Sequence, residues 1–253
     1  QATAAGQSQL GVTLVTPQNI YHSLSRMVEA SGYKEPAAFF TDPEGQPPQP
    51  PPPNPEVQAT MAKTQAEIQE KPYRHLVARE FIEPELYQRL MAERPTDEAL
   101  SPHSATKRFI SYWNEWGNLG KSWLDLRLYL ADFKEEALAK FGIEKKCSLE
   151  VSFVRQQPGY TLGPHTDSPR KVLTVLIYLP ADSSSEEAGT VIYGSDGFRC
   201  SGKAHHRFKD FERVKAIPFL PNTVFAFQKS DISFHGVEPV KKTRDVIQYN
   251  INA

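Results

Sequence analysis

Cysteine is nearly missing from this chain: 253 residues carry two, Cys147 and Cys200. They lie far apart and show none of the C-x-x-C spacing of zinc or thioredoxin-like sites, so both read as ordinary buried or half-buried thiols. Long apolar runs are missing too. Nothing approaches the roughly 20 residues that span a bilayer, and the amino-terminal stretch lacks the basic-then-apolar order of a secretory signal. A soluble protein of the cytoplasm is the expectation. Neither sign of charge dominates: a formal net charge of -1 offers no general attraction to nucleic acid or to an anionic membrane. What remains, 39% hydrophobic and 23% charged residues, is ordinary globular composition.

Proline is concentrated in one place. PEGQPPQPPPPNP, residues 43–55, holds eight prolines in thirteen positions, lacks backbone donors and favours an extended spacer. Ahead of it, Thr16 and Pro17 are placed as N-cap and first helical residue. Ile20, Leu24, Met27 and Val28 follow on one helical face, and Gly32 stands ready to end the helix. So short an amphipathic helix has little of its own to pack on, which points to docking on a partner protein. Behind the linker, residues 56–72 have the composition of a connecting helix. FIEPELYQRLMAERP predicts a helix starting at Glu83 or the preceding turn and stopping before Pro95. WLDLRLYLADFKEEALAKFG predicts another running to Gly142, with Leu126, Leu130, Phe133 and Leu138 apolar.

After residue 142 the hydrophobic period changes from helical to two. Strands are expected over 149–155, 172–179, 190–193, 215–219, 223–227 and 246–251, broken by PGYTLGP, PADSSSEEAG, GSDG and LPN. Helices followed by at least six short strands predict an α+β domain, a double-stranded β-helix of the jelly-roll, cupin-like kind with supporting amino-terminal helices. The organisation is then a helical appendage (1–42), linker (43–55), connecting helix (56–72) and main domain (73–253).

The chemistry-bearing residues lie in the strand region. His165 and Asp167, in PHTD, are two apart. On an extended strand or strand end such side chains share a face, so an imidazole and a carboxylate can converge on one ion. That spacing is common and weak by itself. His235, at the end of a later strand-like segment, completes two histidines and one carboxylate, a facial set that holds Fe(II) and leaves positions open for substrate-like ligands and dioxygen. Nine residues on, Arg244 opens the last strand, where its planar fork suits a carboxylate. Gln248 and Asn250 share its face by the period-two rule.

This order, H-x-D, then H, then a basic residue, with FLPNTVFAFQKSDISFHGVEPVKKTR, resembles the Fe(II)/2-oxoglutarate-dependent dioxygenase superfamily and within it the prolyl-hydroxylase-like branch. The resemblance implies iron ligands at His165, Asp167 and His235, and Arg244 on the distal carboxylate of 2-oxoglutarate, with ascorbate as reductant. It adds Tyr178 and Tyr160 as candidate hydrogen-bonding partners of the co-substrate. A retained Asp167 implies hydroxylation, since halogenating relatives have a small residue there. The substrate would be a peptidyl residue, an amino acid or a small metabolite, alongside dioxygen. Two departures stand out: Val246 occupies the position where many members have a small hydroxyl residue, and Lys241 and Lys242 compete with Arg244. The first 65 or so residues resemble the carboxy-terminal part of phage portal proteins of the short-tailed type. That suggests a bacterial or phage-infected cell, and Gln1 leaves a fragment or fusion open.

Other clusters carry less. His205 and His206, adjacent and so facing opposite ways on a strand, read as a solvated basic loop. Arg199, Lys203, Arg207, Lys209, Arg213 and Lys215 suggest a rim for an acidic substrate. Glu186 and Glu187 read as a surface turn, and Trp113 and Trp116 as packing residues rather than a lid. Two rivals to the dioxygenase remain: a phage structural or attachment protein with a non-catalytic jelly roll, and a cupin-like isomerase, which needs further histidines.

Overall fold

The computed structural model describes residues 17–32, 66–103, 107–180, 183–202 and 204–253. The chain divides into two compact units, Gln1–Asn54 and Pro55–Ala253. In the first, helix α1 spans Pro17–Ala30, and Gly32 follows at φ 89, a left-handed backbone that glycine adopts without a Cβ penalty. Its apolar stripe is open to solvent at Ile20 and Met27. The expected N-cap Thr16 and the proline-rich linker lie outside the described residues.

The second unit is a pair of antiparallel sheets with helices on one side. Its elements are β1 (His75–Ala78), α2 (Pro84–Ala92), β2 (Ser101–Pro102), β3 (Arg108–Tyr112), α3 (Lys121–Ala131), α4 (Phe133–Lys140), β4 (Ser148–Gln156), β5 (Leu162–His165), β6 (Lys171–Tyr178), β7 (Val191–Tyr193), β8 (Arg213–Ala216), β9 (Thr223–Gln228), β10 (His235–Val237) and β11 (Arg244–Asn252). Seven strands form the larger sheet in the order β1-β9-β6-β11-β4-β3-β2, and four form the smaller one, β5-β10-β7-β8. This is the expected jelly-roll arrangement.

Alternation along the central strands builds two cores. Val151 and Phe153 of β4, Leu173, Val175 and Ile177 of β6, and Ile247, Tyr249 and Ile251 of β11 face the helices, meeting Leu90, Trp123, Leu126, Leu130 and Leu138. The intervening residues Val154, Leu176, Tyr178 and Val246 face the smaller sheet with Ile192, Ile217 and Phe219. Each fully buried Val, Leu or Ile contributes about 1.5–3 kcal/mol over leaving it exposed. The polar members of the inner face, Thr174, Gln248 and Asn250, therefore stand out.

Several local expectations are corrected. The single helix expected to run to Gly142 breaks at Asp132, where Phe133 turns in to pack 4.9 Å from Phe81 and 5.4 Å from Tyr249. Of the expected connecting helix, the described residues 66–72 are not helical; Gln69 pairs by backbone with His75 instead. Strands β1 to β3 precede residue 142, where only helices were expected, and β5 begins inside PGYTLGP, which was expected to be a break. The 215–219 strand instead ends at Ala216; Pro218, two residues on, has no N–H to extend a ladder. Helix α2 matches expectation. Its Glu83 carboxylate accepts from the backbone N–H groups of Glu85 and Leu86, and Pro84 occupies the first turn.

Candidate metal and co-substrate site

Strand β5 ends on His165 and β10 begins on His235, and antiparallel pairing sets these two residues opposite each other. Their rings are 4.3 Å apart. The strands approach this closely because Gly236 follows His235: a Cβ there would lie 2.6 Å from the carbonyl oxygen of Leu162. Asp167 joins them by a turn. Its φ of 70° corrects the expectation that strand pleating aligns it with His165; the chain has left the strand, and a left-handed residue swings the carboxylate back. Its Oδ1 is 3.6 Å from His165 Nε2 and its Oδ2 is 3.8 Å from His235 Nε2. All three candidate ligand atoms lie within 4.8 Å of one another, and all three residues are buried.

The donor set fits a divalent metal. Each histidine places Nδ1 at 3.0 Å from a backbone carbonyl, His165 on Gly163 and His235 on Ser233. Donation through Nδ1 fixes the tautomer and leaves Nε2 as a lone pair facing the carboxylate. Burial, helped by the nearby His165, pushes the His235 imidazole down to about 3, so it is neutral near pH 7. Burial opposes ionisation of Asp167, but the two imidazoles and Lys171 outweigh it and hold the carboxyl well below its usual range. Lys171 Nζ donates to Oδ1 at 3.0 Å and Thr174 Oγ1 donates to Oδ2 at 2.9 Å.

A cleft of about 380 Å³ runs from these residues between the sheets, and its wall includes Gln156, Thr190, Gln248 and Arg244. Arg244 is 1% exposed. It donates from Nε to the Ala188 carbonyl (2.6 Å), from Nη1 to Gln156 Oε1 (2.6 Å) and from Nη2 to Thr190 Oγ1 (3.0 Å). Every one of these acceptors is neutral. Burial accordingly lowers its pKa from the ordinary arginine value. A buried cation without a counter-ion costs several kcal/mol, and an incoming carboxylate offsets that cost with charge-assisted bonds. Arg155, also buried though less deeply, shows the contrast: two of its nitrogens bond Asp245 at 2.9 and 2.8 Å.

The structure thus brings His165, Asp167, His235 and Arg244 to one cleft. The two tyrosines are not among its lining residues. Tyr178 lies beneath the guanidinium, 5.4 Å from its carbon, and its hydroxyl accepts the Thr190 N–H at 3.1 Å. Tyr160 is buried in the inner core, its carbonyl accepting the Val240 N–H at 3.0 Å. Val246 is core and offers no hydroxyl, while Lys241 and Lys242 sit on an exposed turn. The sequence reading missed Lys171 and Thr174, which hold Asp167, and Gln156 and Thr190, which hold Arg244. Alternation from Tyr178 reaches Thr174, but no local signal identifies Gln156.

The His205–His206 loop also differs from expectation. It crosses back over β5, with the His206 N–H donating to the Pro164 carbonyl at 2.9 Å. His206 packs among Phe198, Phe211 and Phe234. His205 stays exposed yet lies 5.0 Å, edge-on, from His165. Two members of the expected basic rim are neutralised, Arg207 by Asp210 and Arg213 by Glu238. Lys203 lies outside the described residues.

Residues 151–252 match the sequence profile of the 2OG-Fe(II) oxygenase superfamily. This part of the chain is a 2OG-Fe(II) oxygenase domain. Solved structures with the same fold as the oxygenase domain include a Pseudomonas putida prolyl-4-hydroxylase (16% identity, TM-score 0.51, 77% of this chain and 97% of that one). Another is a prolyl hydroxylase from Trichoplax adhaerens in complex with a hypoxia inducible factor peptide fragment (12%, 0.52, 78% and 90%). A third is HygX from Streptomyces hygroscopicus with nickel and 2-oxoglutarate bound (13%, 0.50, 70% and 82%). No curated protein sequence matches the chain. Ahead of the oxygenase domain, residues 1–70 match the profile of the phage SU10 portal protein. No helix among the described residues is long and apolar enough to cross a membrane.

Proposed function

We propose that the domain spanning residues 73–253 binds Fe(II) through His165 Nε2, Asp167 and His235 Nε2, and 2-oxoglutarate with its distal carboxylate on Arg244. It then hydroxylates a peptidyl residue, amino acid or small metabolite. Iron, 2-oxoglutarate and dioxygen together supply the oxidising chemistry, with succinate and carbon dioxide as co-products and ascorbate as maintenance reductant. The protein's own share is binding and orientation. The backbone carbonyls of Gly163 and Ser233 aim the two imidazoles. Lys171 and Thr174 hold Asp167 ionised. The inner core keeps the guanidinium desolvated, where its attraction for a carboxylate is strongest.

The observation that carries this reading is the pairing in one cleft of a complete His-Asp-His cluster with a buried arginine bonded only to neutral groups. It also counts against a non-catalytic jelly roll, which gains nothing from either feature. The deciding experiment is succinate formation from 2-oxoglutarate with Fe(II) and ascorbate, together with Fe(II) binding by the wild type and His165→Ala. No turnover with any substrate panel, and unchanged Fe(II) binding in the variant, would sink the proposal. The match of residues 1–70 to a phage portal protein supports a phage-infected bacterium as the setting, and the exposed apolar stripe of α1 supports docking on a partner protein.

A further inference from the structure

A second arginine reaches the metal cleft from near the edge of the larger sheet. Arg108 begins β3 and shares the inner face with Ile110, whereas Phe109 between them packs toward the helices. It pairs in register with Gln156, and so does Arg244 from the other side of β4. The two arginines thus flank one glutamine, whose Oε1 is taken by Arg244. The Arg108 side chain instead crosses β4 and donates from Nη2 to Gln248 Oε1 on β11 at 2.8 Å. Gln156 and Gln248 both line the cleft, so Arg108 starts beside one wall residue and ends on another.

Its charge is unmatched. Gln248 is neutral, Nε is buried without a hydrogen-bond partner, and among the described residues no carboxylate forms an ion pair with the guanidinium. Burial lowers its pKa, opposed by the phenols of Tyr160 and Tyr112. Arginine keeps its proton all the same, so the cost of a poorly solvated cation stays in the protein until an anion arrives. The residue is only partly buried, which leaves some of its surface open.

Loading the site does not supply that anion. In the proposed complex the distal carboxylate of 2-oxoglutarate is on Arg244, and the metal draws on Asp167, the carboxylate that Lys171 now holds. Arg108 and Lys171, a lining residue of the same cleft, then both lack an anionic partner, and the substrate is the reactant left to provide one. Gln248 is two residues along β11 from Asn250, the register partner of the Thr174 that holds Asp167, a step of about 6.8 Å. A group bound at the guanidinium therefore stands near enough to the metal cluster to belong to the molecule being oxidised.

We infer that Arg108 determines substrate specificity: its guanidinium binds a carboxylate of the substrate while another carbon of the same molecule lies at the metal cluster. This rests on the proposed oxygenase function and narrows its substrate to acids. A free amino acid or the acidic side chain or carboxy terminus of a peptide presents the same carboxylate, and the test separates these sources.

The full chain is loaded with Mn(II) and 2-oxoglutarate under nitrogen, where no oxygen can be transferred, and titrated calorimetrically with matched acid and amide pairs. These are amino acids against their α-carboxamides, and dodecapeptides with Asp, Glu or a free carboxy terminus against Asn, Gln or an amidated one. The wild type is expected to bind at least one acid about 10–100-fold tighter than its amide, the worth of a charge-assisted hydrogen bond. In Arg108→Met the two are expected to bind alike. Arg108→Lys keeps the charge but not the fork; it is expected to lose part of the preference, and it carries the assignment if the methionine variant fails to fold. Affinity for 2-oxoglutarate in the absence of substrate is expected to be unchanged in both. With Fe(II), ascorbate and air, a gain of one oxygen by mass spectrometry in the preferred acid then identifies the source. The inference is overturned if no acid is preferred to its amide, if the preference survives undiminished in the variants, or if they weaken 2-oxoglutarate itself, which would make Arg108 a co-substrate contact. Acid preference without any succinate in the Fe(II) assay would overturn the oxygenase reading and leave the carboxylate site standing.

Discussion

Lys171 Nζ lies 3.0 Å from Asp167 Oδ1, so an ammonium group holds the same carboxylate that a divalent cation would bind. The two cations compete for one buried charge. In Lys171→Met the metal-free protein is expected to lose about 1–2 kcal/mol, between the values for surface and buried pairs because Lys171 is partly exposed. Mn(II) would then raise the melting temperature more in the variant than in the wild type. Thermal melts with and without Mn(II) check this, and an equal or smaller rise counts against it.

Arg244 bonds only neutral acceptors, and its fork geometry is what suits a carboxylate. Arg244→Lys keeps the charge and loses the fork. 2-Oxoglutarate affinity is expected to fall about 10–100-fold, equivalent to roughly 1.5–3 kcal/mol for a charged hydrogen bond, while Mn(II) affinity holds. Titration calorimetry separates the two.

Arg155 serves stability instead. Its bonds to Asp245, which is 1% exposed, mean that Arg155→Met strands a buried carboxylate, with Arg94 left as its partner. A loss of about 3 kcal/mol is expected in denaturant unfolding. A loss below about 1 kcal/mol would show that Arg94 alone suffices.

Gly236→Ala tests the close approach of β10 to β5 without touching a ligand. The added methyl meets the Leu162 carbonyl and must push His235 away from His165. Mn(II) affinity is expected to drop about tenfold or more, in the range seen for loss of groups that orient ligands. Unaltered affinity would mean that the strands have room to give.

His75 provides the pH dependence. It is 1% exposed, its Nε2 has no partner, and burial lowers its pKa from the ordinary 6.5 despite the Tyr73 carbonyl at its Nδ1. A depressed folded pKa means that the unfolded chain takes the proton first. Its contribution to stability is therefore complete above about pH 6.5 and is lost as pH falls below it. One such group contributes a slope of up to about 1.4 kcal/mol per pH unit. His75→Leu is expected to flatten the dependence of unfolding free energy on pH between 6.5 and 5. An unchanged slope assigns the effect elsewhere.

Much of the fold was legible because the central strands alternate. β4, β6, β9 and β11 fall within a residue or two of their expected ends, since one face of each meets helices and the other meets a second sheet. The short strands β5 and β10 were not legible. Three or four residues containing Gly163, Pro164 or Gly236 have no period to read, and they are extended only because they pair with each other and β7.

The cluster divides the same way. The residue types and order of His165, Asp167, His235 and Arg244 were fixed by sequence, as was the shared face of Arg244, Gln248 and Asn250, because strand period is a local property. Only the tertiary structure decided how Asp167 reaches the histidines, through a left-handed turn rather than a pleat. It also decided that Tyr178 and Tyr160 lie behind the cleft wall, and that Lys171, Gln156 and Thr190 complete the surroundings. Those outcomes depend on which strands become neighbours, and hydrogen bonds between residues up to 88 apart are invisible to any local pattern.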